Sequence, residues 1–451
     1  MSDLRGLLGA GEPSPQRWDA LILRLEQCGD MDLLTQVALP YCEDHLTRWP
    51  DRLRRWPGWW SDMGASLAET PPSPLIALIR RAEDEAPSAQ AVELLGTTPL
   101  LDRITQWITG PYPYSHNLTL SLARNTRLSN LRRIELRGVQ TMDEGAIALA
   151  AASHLSSVRV LRLDEASIGI KGARALAQSP HLKGLTTLSL RNVLGNTLTD
   201  QLLTSAQAQH FITALPNLTA LDLSGHNLGK GLEPSEEAKH NGAQLKALSM
   251  AWASLQPQAG QALASSPALG DIQTLDLSSN ALKDEGIEGL AVRRWDQLST
   301  LNLTQNQLTD AAAPSLARLL HNGRISHLSL AENRALGAGI TQMLRDAPPG
   351  PLHTLELNDT GCSDDALYVL SQRRTSRSLR VLDLSGTPIT DAGVHILAQS
   401  PHLDSLASLR LLDCAGVTQK ALDALCDALP NCIIWSAQGH INRLPWEQNR
   451  S

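Results

Sequence analysis

One pattern limits what this chain can fold into more than any other. From Leu131 onward a Leu-x-x-Leu-x-Leu unit recurs, with first positions read at Leu131, Val158, Leu185, Leu218, Leu245, Ile272, Leu298, Ile325, Leu352, Leu379 and Leu409. Successive spacings are 27, 27, 33, 27, 27, 26, 27, 27, 27 and 30 residues. A period in this range, kept over eleven units, denotes a solenoid. Each unit is too small to bury its apolar side alone, and stacking on its neighbours supplies the burial. Aromatic residues are only 3% of the 451, with Phe211 the single Phe, so Leu and Ala must build the interior as repeated aliphatic layers.

Each unit has two halves. The first predicts a short strand with alternating buried positions, as in Leu275-Asp276-Leu277 and Leu301-Asn302-Leu303. A turn follows, with Asn at the ninth position in three units: Asn280, Asn306 and Asn333. An inward amide there can satisfy backbone groups of neighbouring turns that would otherwise be buried unpaired. Thr360 and Thr387 take that place in two units, and His226 or apolar residues in others, so the ladder is expected to be partial. The second half predicts a helix. Thr390-Asp391 starts one with capping chemistry, and Asp284-Glu285 and Asp143-Glu144 open others. Ser-Pro stops several, as in Ser179-Pro180-His181-Leu182 and Ser400-Pro401-His402-Leu403.

Units such as Ile272-Gln-Thr-Leu-Asp-Leu-Ser-Ser-Asn-Ala-Leu-Lys-Asp-Glu-Gly-Ile resemble the ribonuclease-inhibitor-like class of leucine-rich repeats, over about residues 131–436. The resemblance implies an α/β fold: a right-handed leucine-rich-repeat solenoid, a horseshoe with a parallel β-sheet inside and helices outside. An N-terminal α-helical domain is expected to precede it. The domains read as 1–110 (helical), 111–436 (about eleven units plus capping elements) and 437–451 (C-terminal tail). The Ser-Pro-His-Leu punctuation and Ala-rich helices are similar to repeat proteins of bacteria. Relatives of this class include inhibitors, sensors and GTPase-activating proteins, and the fold does not choose among them.

The first 110 residues lack the repeat. Ser14-Pro15 predicts a helix start, and Trp18, Leu21, Ile22 and Leu25 form its apolar stripe. Further helices are expected around 31–39, 41–55, 74–84, 99–109 and 117–127. Six of the ten Trp lie here: Trp18, Trp49, Trp56, Trp59, Trp60 and Trp107. The Arg- and Trp-rich run from Arg48 to Trp60 reads either as a docking patch or as the Trp-filled core of a small helical domain.

Net charge is −7, which lacks the basic footprint of nucleic-acid binding. No apolar run is long enough for a membrane span, and the N-terminus lacks a signal-peptide core, so a cytoplasmic location is expected. The six cysteines (Cys28, Cys42, Cys362, Cys414, Cys426, Cys432) show no metal spacing and read as reduced thiols. Phosphate-loop, zinc-protease and serine-hydrolase motifs do not occur. Cys42-Glu43-Asp44 resembles the Cys-x-Asp element of bacterial leucine-rich-repeat ubiquitin ligases, though it precedes the repeats and lies in too short a segment for that catalytic domain. No cofactor, metal or catalytic residue is expected.

A binding role on the concave strand face is what remains. Its exposed positions are the third, fifth, seventh and eighth of each unit. Early units place Arg133, Glu135, Arg137, Arg162, Asp164, Glu165 and Arg191 there, a mixed set. Later units place Asp222, Asp276, Asn302, Glu332, Glu356, Asp359, Asp383 and Asp413, with no Lys or Arg among them. On this numbering Glu356, Asp383 and Asp413 form a like-charge row at the fifth position. Trp252, at an eighth position, adds an aromatic anchor. The face reads either as a solvated surface or as an electronegative groove for a basic protein segment. The expected function is a protein–protein interaction module, scaffold or regulator. The alternatives are a GTPase-activating or other regulatory enzyme accessory and, more remotely, a ubiquitin-ligase-like effector.

Overall fold

A computed structural model describes residues 2–9, 12–55, 74–84, 99–109, 117–193, 202–232, 243–322, 324–347, 350, 352–437 and 439–440. The chain divides into two compact units: Met1–Leu202 with Ala214–Leu218, and Leu203–Thr213 with Thr219–Ser451.

The first unit opens with helices at Ser2–Gly9 and Pro15–Glu26. The Ser14 hydroxyl accepts from the Arg17 amide and Pro15 takes the first turn, as the sequence predicts. Trp18, Leu21, Ile22 and Leu25 are buried along one stripe. A helical run from Met31 to Leu46 follows, relaxed to a π turn at Leu34–Ala38. Five parallel strands come next in chain order: β1 (Arg81–Asp84), β2 (Gln106–Thr109), β3 (Arg133–Leu136), β4 (Val160–Arg162) and β5 (Thr187–Ser189). The helices expected at 74–84 and 99–109 are therefore corrected. Each is a short 3-10 turn, Pro74–Leu78 or Pro99–Arg103, running into a strand. Both strands lie upstream of residue 110, where no Leu-x-x-Leu-x-Leu signature announces them.

Among the described residues the second unit holds nine parallel strands: β6 (Ala220–Asp222), β7 (Ala247–Ser249), β8 (Thr274–Asp276), β9 (Thr300–Asn302), β10 (His327–Ser329), β11 (Thr354–Glu356), β12 (Val381–Asp383), β13 (Ser408–Arg410) and β14 (Ile433–Ser436). An antiparallel strand β15 (Gly439–His440) pairs with β14. Helices alternate with these strands, for example Gln258–Ser265, Lys283–Leu290 and Asp391–Ala398. The fourth and sixth positions of the repeat units, such as Leu275 and Leu277, are buried. This is an α/β leucine-rich-repeat solenoid.

Two ladders of side chains fasten turn to turn. In the first, the Asn333 carbonyl accepts from the amides of Asn306 (2.9 Å) and Leu308 (3.0 Å), one unit back. Its amide group donates to the carbonyls of Leu303, Leu330 and Ala331. Asn280 repeats this with Ala253, Leu255, Met250, Leu277 and Ser278. The Thr360 and Thr387 hydroxyls donate to the carbonyls of Leu357 and Leu384, within their own turns, the Thr387 hydroxyl also meets the Cys414 thiol of the next turn at 3.9 Å, and Cys362 donates its amide to the Thr360 hydroxyl. The second ladder was not foreseen. The Asp that opens a helix caps its neighbour rather than its own helix: Asp143 accepts from the Gly169 and Gly172 amides, and Asp310 from those of Gly337 and Gly339. Asp284, Asp364 and Asp391 likewise accept from the amide and hydroxyl of Thr309, Thr390 and Thr418.

Helix packing sets a steric limit at Gly260. A methyl group there would stand 1.9 Å from the Gly286 carbonyl oxygen on the adjacent helix. Gly260→Ala is expected to force the two helices apart and cost about 2 kcal/mol in urea unfolding. Gly270→Ala, whose nearest contact is the Gln244 side chain at 3.4 Å, is the neutral control.

Candidate partner-binding face

In the second unit the strand register aligns Asp222, Ser249, Asp276, Asn302, Ser329, Glu356, Asp383 and Arg410 in one row at the fifth position. The short side chains of this row first satisfy backbone. Asp222, Asp276 and Asp383 each accept, through Oδ1, the amide and hydroxyl of the Ser two residues on, at 2.6–3.1 Å. Asn302 accepts from the Thr304 amide at 3.0 Å. The geometry explains the need. The sixth- and eighth-position amides reach the next strand, as Leu277 does to Asn302 and Ser279 to Thr304, which leaves the seventh without a strand partner.

The same register corrects the acidic row. Asp383 faces Arg410, not Asp413, and the Arg410 guanidinium lies 3.3 Å from its Oδ2. The unit therefore begins at Leu406, 27 residues after Leu379, and Arg410 holds the fifth position that the sequence reading had kept free of cations. Asp383 is buried and consumed by Ser385 and Arg410. Asp413 moves to the eighth position, exposed, in line with Glu332 and Asp359. Cys414, now the ninth, donates its thiol to the Leu384 carbonyl and continues the turn ladder. The constant spacing of 27 was the signal for this register; the Leu-rich run Leu406–Leu412 obscured it.

The eighth position has a conformation of its own. Glu165, Trp252, Ser279, Gln305, Glu332, Asp359 and Asp413 all have φ between +53° and +58°. Gly225 and Gly386 occupy the same place at +80° and +66°, where a residue without Cβ is under no strain. A Trp is a poor occupant of such a site, yet Trp252 sits there 55% exposed, its amide held by the Ser278 carbonyl. Its strand carries Ser249, which lies in register between Asp222 and Asp276, and Ala220 and Ala247 pave the adjacent third positions.

In the first unit the structure gathers the arginines. The Glu135 side chain is 3% exposed, which corrects its reading as a surface residue. Arg133, Arg137 and Arg162 converge on it, Arg137 at 3.3 Å and Arg162 at 3.6 Å. Arg191 stands apart, 3.7 Å from Glu165.

Repeat geometry of this kind has a sequence counterpart in known proteins. The family described as Leucine Rich repeat matches residues 214–231, 271–291 and 375–396. The chain is a leucine-rich repeat protein. Among solved structures, it is similar to a chain of the yeast Rad7–Elc1 complex, at 18% identity and a TM-score of 0.41, covering 88% of this chain and 92% of that one. It is also similar to an internalin from Listeria monocytogenes, at 15% identity and a TM-score of 0.40, covering 71% and 93%. No curated protein matches its sequence.

Other candidates in this leucine-rich repeat protein resolve into core and ladder. Cys42 is fully buried, and burial, with the Glu43 charge, pushes its thiol up to about 12, so it stays protonated. Its neighbour Glu43 is the structural residue of that motif, bound by Arg54, Arg80 and Arg103. Trp18, Trp49 and Trp107 are buried; Trp56, Trp59 and Trp60 lie outside the described residues. His226, at the ninth position, is buried and accepts from the Leu203 amide, while His327 is exposed on β10 beside His353. Residues 194–201, within the 33-residue spacing between Leu185 and Leu218, lie outside the described residues, as do 233–242 and 441–451. Among the described residues no helix is long and apolar enough to cross a membrane.

Proposed function

We propose that this chain is a non-enzymatic protein-binding module of the ribonuclease-inhibitor-like class, acting in the cytoplasm of a bacterium, and that its second unit takes a basic protein segment on the strand face. Trp252 carries the reading. A large aromatic ring is held in solvent at a strained backbone position that Gly fills elsewhere, and carboxylates flank its strand at about 10 Å from each other, two strand spacings. An exposed ring on a strand whose two neighbours carry carboxylates three positions earlier suits an Arg or Lys side chain, by cation–π contact and by charge. Glu332, Glu356, Asp359 and Asp413 extend the negative field along later turns. A protonated, buried Cys42 supports binding over thioester chemistry.

Fluorescein-labelled octalysine, titrated with the full chain and followed by anisotropy, tests this. Trp252→Gly is expected to weaken binding roughly tenfold while leaving stability within about 1 kcal/mol, because Gly relieves the positive φ. Asp276→Asn keeps the backbone cap and removes the charge, and should weaken binding with a shallower salt dependence. Equal affinity of all three proteins would refute the assignment of this face.

A further inference from the structure

Among the described residues, two clusters place three arginines around one glutamate, and they differ in where the other guanidinium N–H groups go. Around Glu43 those groups are spent on the fold. Arg54 Nε donates to the Leu78 carbonyl at 2.9 Å, Arg80 Nη1 to those of Ala77 and Ile79 at 2.9 Å, and Arg103 Nη1 to Ala77 at 3.3 Å. That cluster ties strand ends to helices. Around Glu135 the donors are not spent. Among the described residues, Arg133, Arg137 and Arg162 donate to no backbone carbonyl, and the shielded Nε groups of Arg133 and Arg162 make no hydrogen bond, that of Arg162 standing 3.6 Å from Glu135.

Burial separates the roles of the charges. The Glu135 carboxylate lies beneath the surface, while the three arginine side chains are 39%, 48% and 37% exposed. One carboxylate under three guanidinium groups leaves two positive charges facing solvent. Each guanidinium offers five N–H donors in a fixed fork, and one carboxylate cannot engage all of them. Glu135 thus holds the arginines in place, which lowers the ordering cost for a second anion. Beside them Gln106, Arg133, Val160 and Thr187 align across β2 to β5 in parallel register.

We propose that the Arg133–Arg137–Arg162 cluster of the first unit is a docking site for the carboxylate side chains of an acidic peptide segment lying across β3 and β4. Charge complementarity selects this occupant, and the open strand surface favours an extended chain over a small enclosed anion. The proposal concerns the opposite charge and the other unit from the basic-segment reading, so either can fail alone.

The test uses fluorescein-labelled octaglutamate with the full chain at low salt, again by anisotropy. Saturable binding is expected, weakened roughly tenfold or more in Arg137→Gln/Arg162→Gln with octalysine binding unchanged. Arg162→Lys, which keeps the charge and loses the fork, should give an intermediate loss. If the double variant fails to fold, Arg137→Gln alone, at the most exposed of the three, is expected to weaken binding by about threefold. No saturable binding by the unaltered chain, equal binding by the folded Arg variants, or displacement of the peptide by inorganic phosphate at matched concentration would each overturn the proposal.

Discussion

Asn333→Ala will destabilise the second unit by about 4 kcal/mol, the largest effect expected of any single change in the turn ladder. The side chain is almost fully buried and makes five hydrogen bonds, every one to backbone. Truncation leaves the amides of Asn306 and Leu308 and the carbonyls of Leu303 and Leu330 facing a dry interior. Each buried orphan costs about 1–3 kcal/mol, partly relieved by any water that enters the gap. Asn333→Thr should lose about half as much, since Thr360 shows that a hydroxyl serves its own turn but not the previous one. Asn302→Ala, on the exposed face, should cost under about 1 kcal/mol. Urea unfolding of the three variants, with hydrogen exchange at the Leu308 amide, checks the ordering. A loss below about 1 kcal/mol for Asn333→Ala would mean the ladder is not what holds adjacent turns together.

Glu43→Ala is expected to cost about 3 kcal/mol in the first unit. Arg54, 4% exposed, places Nη2 at 3.3 and 3.2 Å from the two Glu43 oxygens, and Arg80 shares one of them. Burial lowers the Arg54 pKa and the neighbouring Arg80 charge lowers it further, with Glu43 acting against both. Removing the carboxylate leaves a buried cation beside a like charge, and no rotamer change takes Arg54 to solvent without losing its bond to Leu78. Glu43→Gln should be nearly as damaging, because the amide keeps an acceptor but not the charge. The double variant Glu43→Met/Arg54→Met should recover much of the loss, since a buried ion pair and an apolar pair are often close in stability. Asp44→Ala, one residue on and largely exposed, is the control. Thermal and urea unfolding distinguish these cases; a Glu43→Ala midpoint equal to the control's would show the cluster to be dispensable.

Particular residues mark how far the sequence reading reached. The stripe Trp18–Leu25, the cap at Ser14 and the Asn ladder all lay where local spacing placed them. Two strands upstream of residue 110 escaped, since Arg81-Ala-Glu-Asp and Gln106-Trp-Ile-Thr carry no repeat signature. Of the candidate face, Trp252 and the cationic set were legible, but the charge partners were not. Asp413 was set beside Asp383 because Leu406 and Leu409 both open plausible units, and a three-residue slip changes which side chain stands next to which.

What the amino-acid order determined alone was the period, the buried positions and the solenoid, because apolar spacing along a strand or helix acts within a few residues. What tertiary structure decided was the fate of each charge. Glu135 sank beneath three arginines, Asp383 met Arg410, and each helix-opening Asp turned to the neighbouring turn. Arg133 and Arg137 lie two residues either side of Glu135, but the other pairings join residues about 27 positions apart, and their strength depends on register and desolvation, which exist only after the turns have stacked.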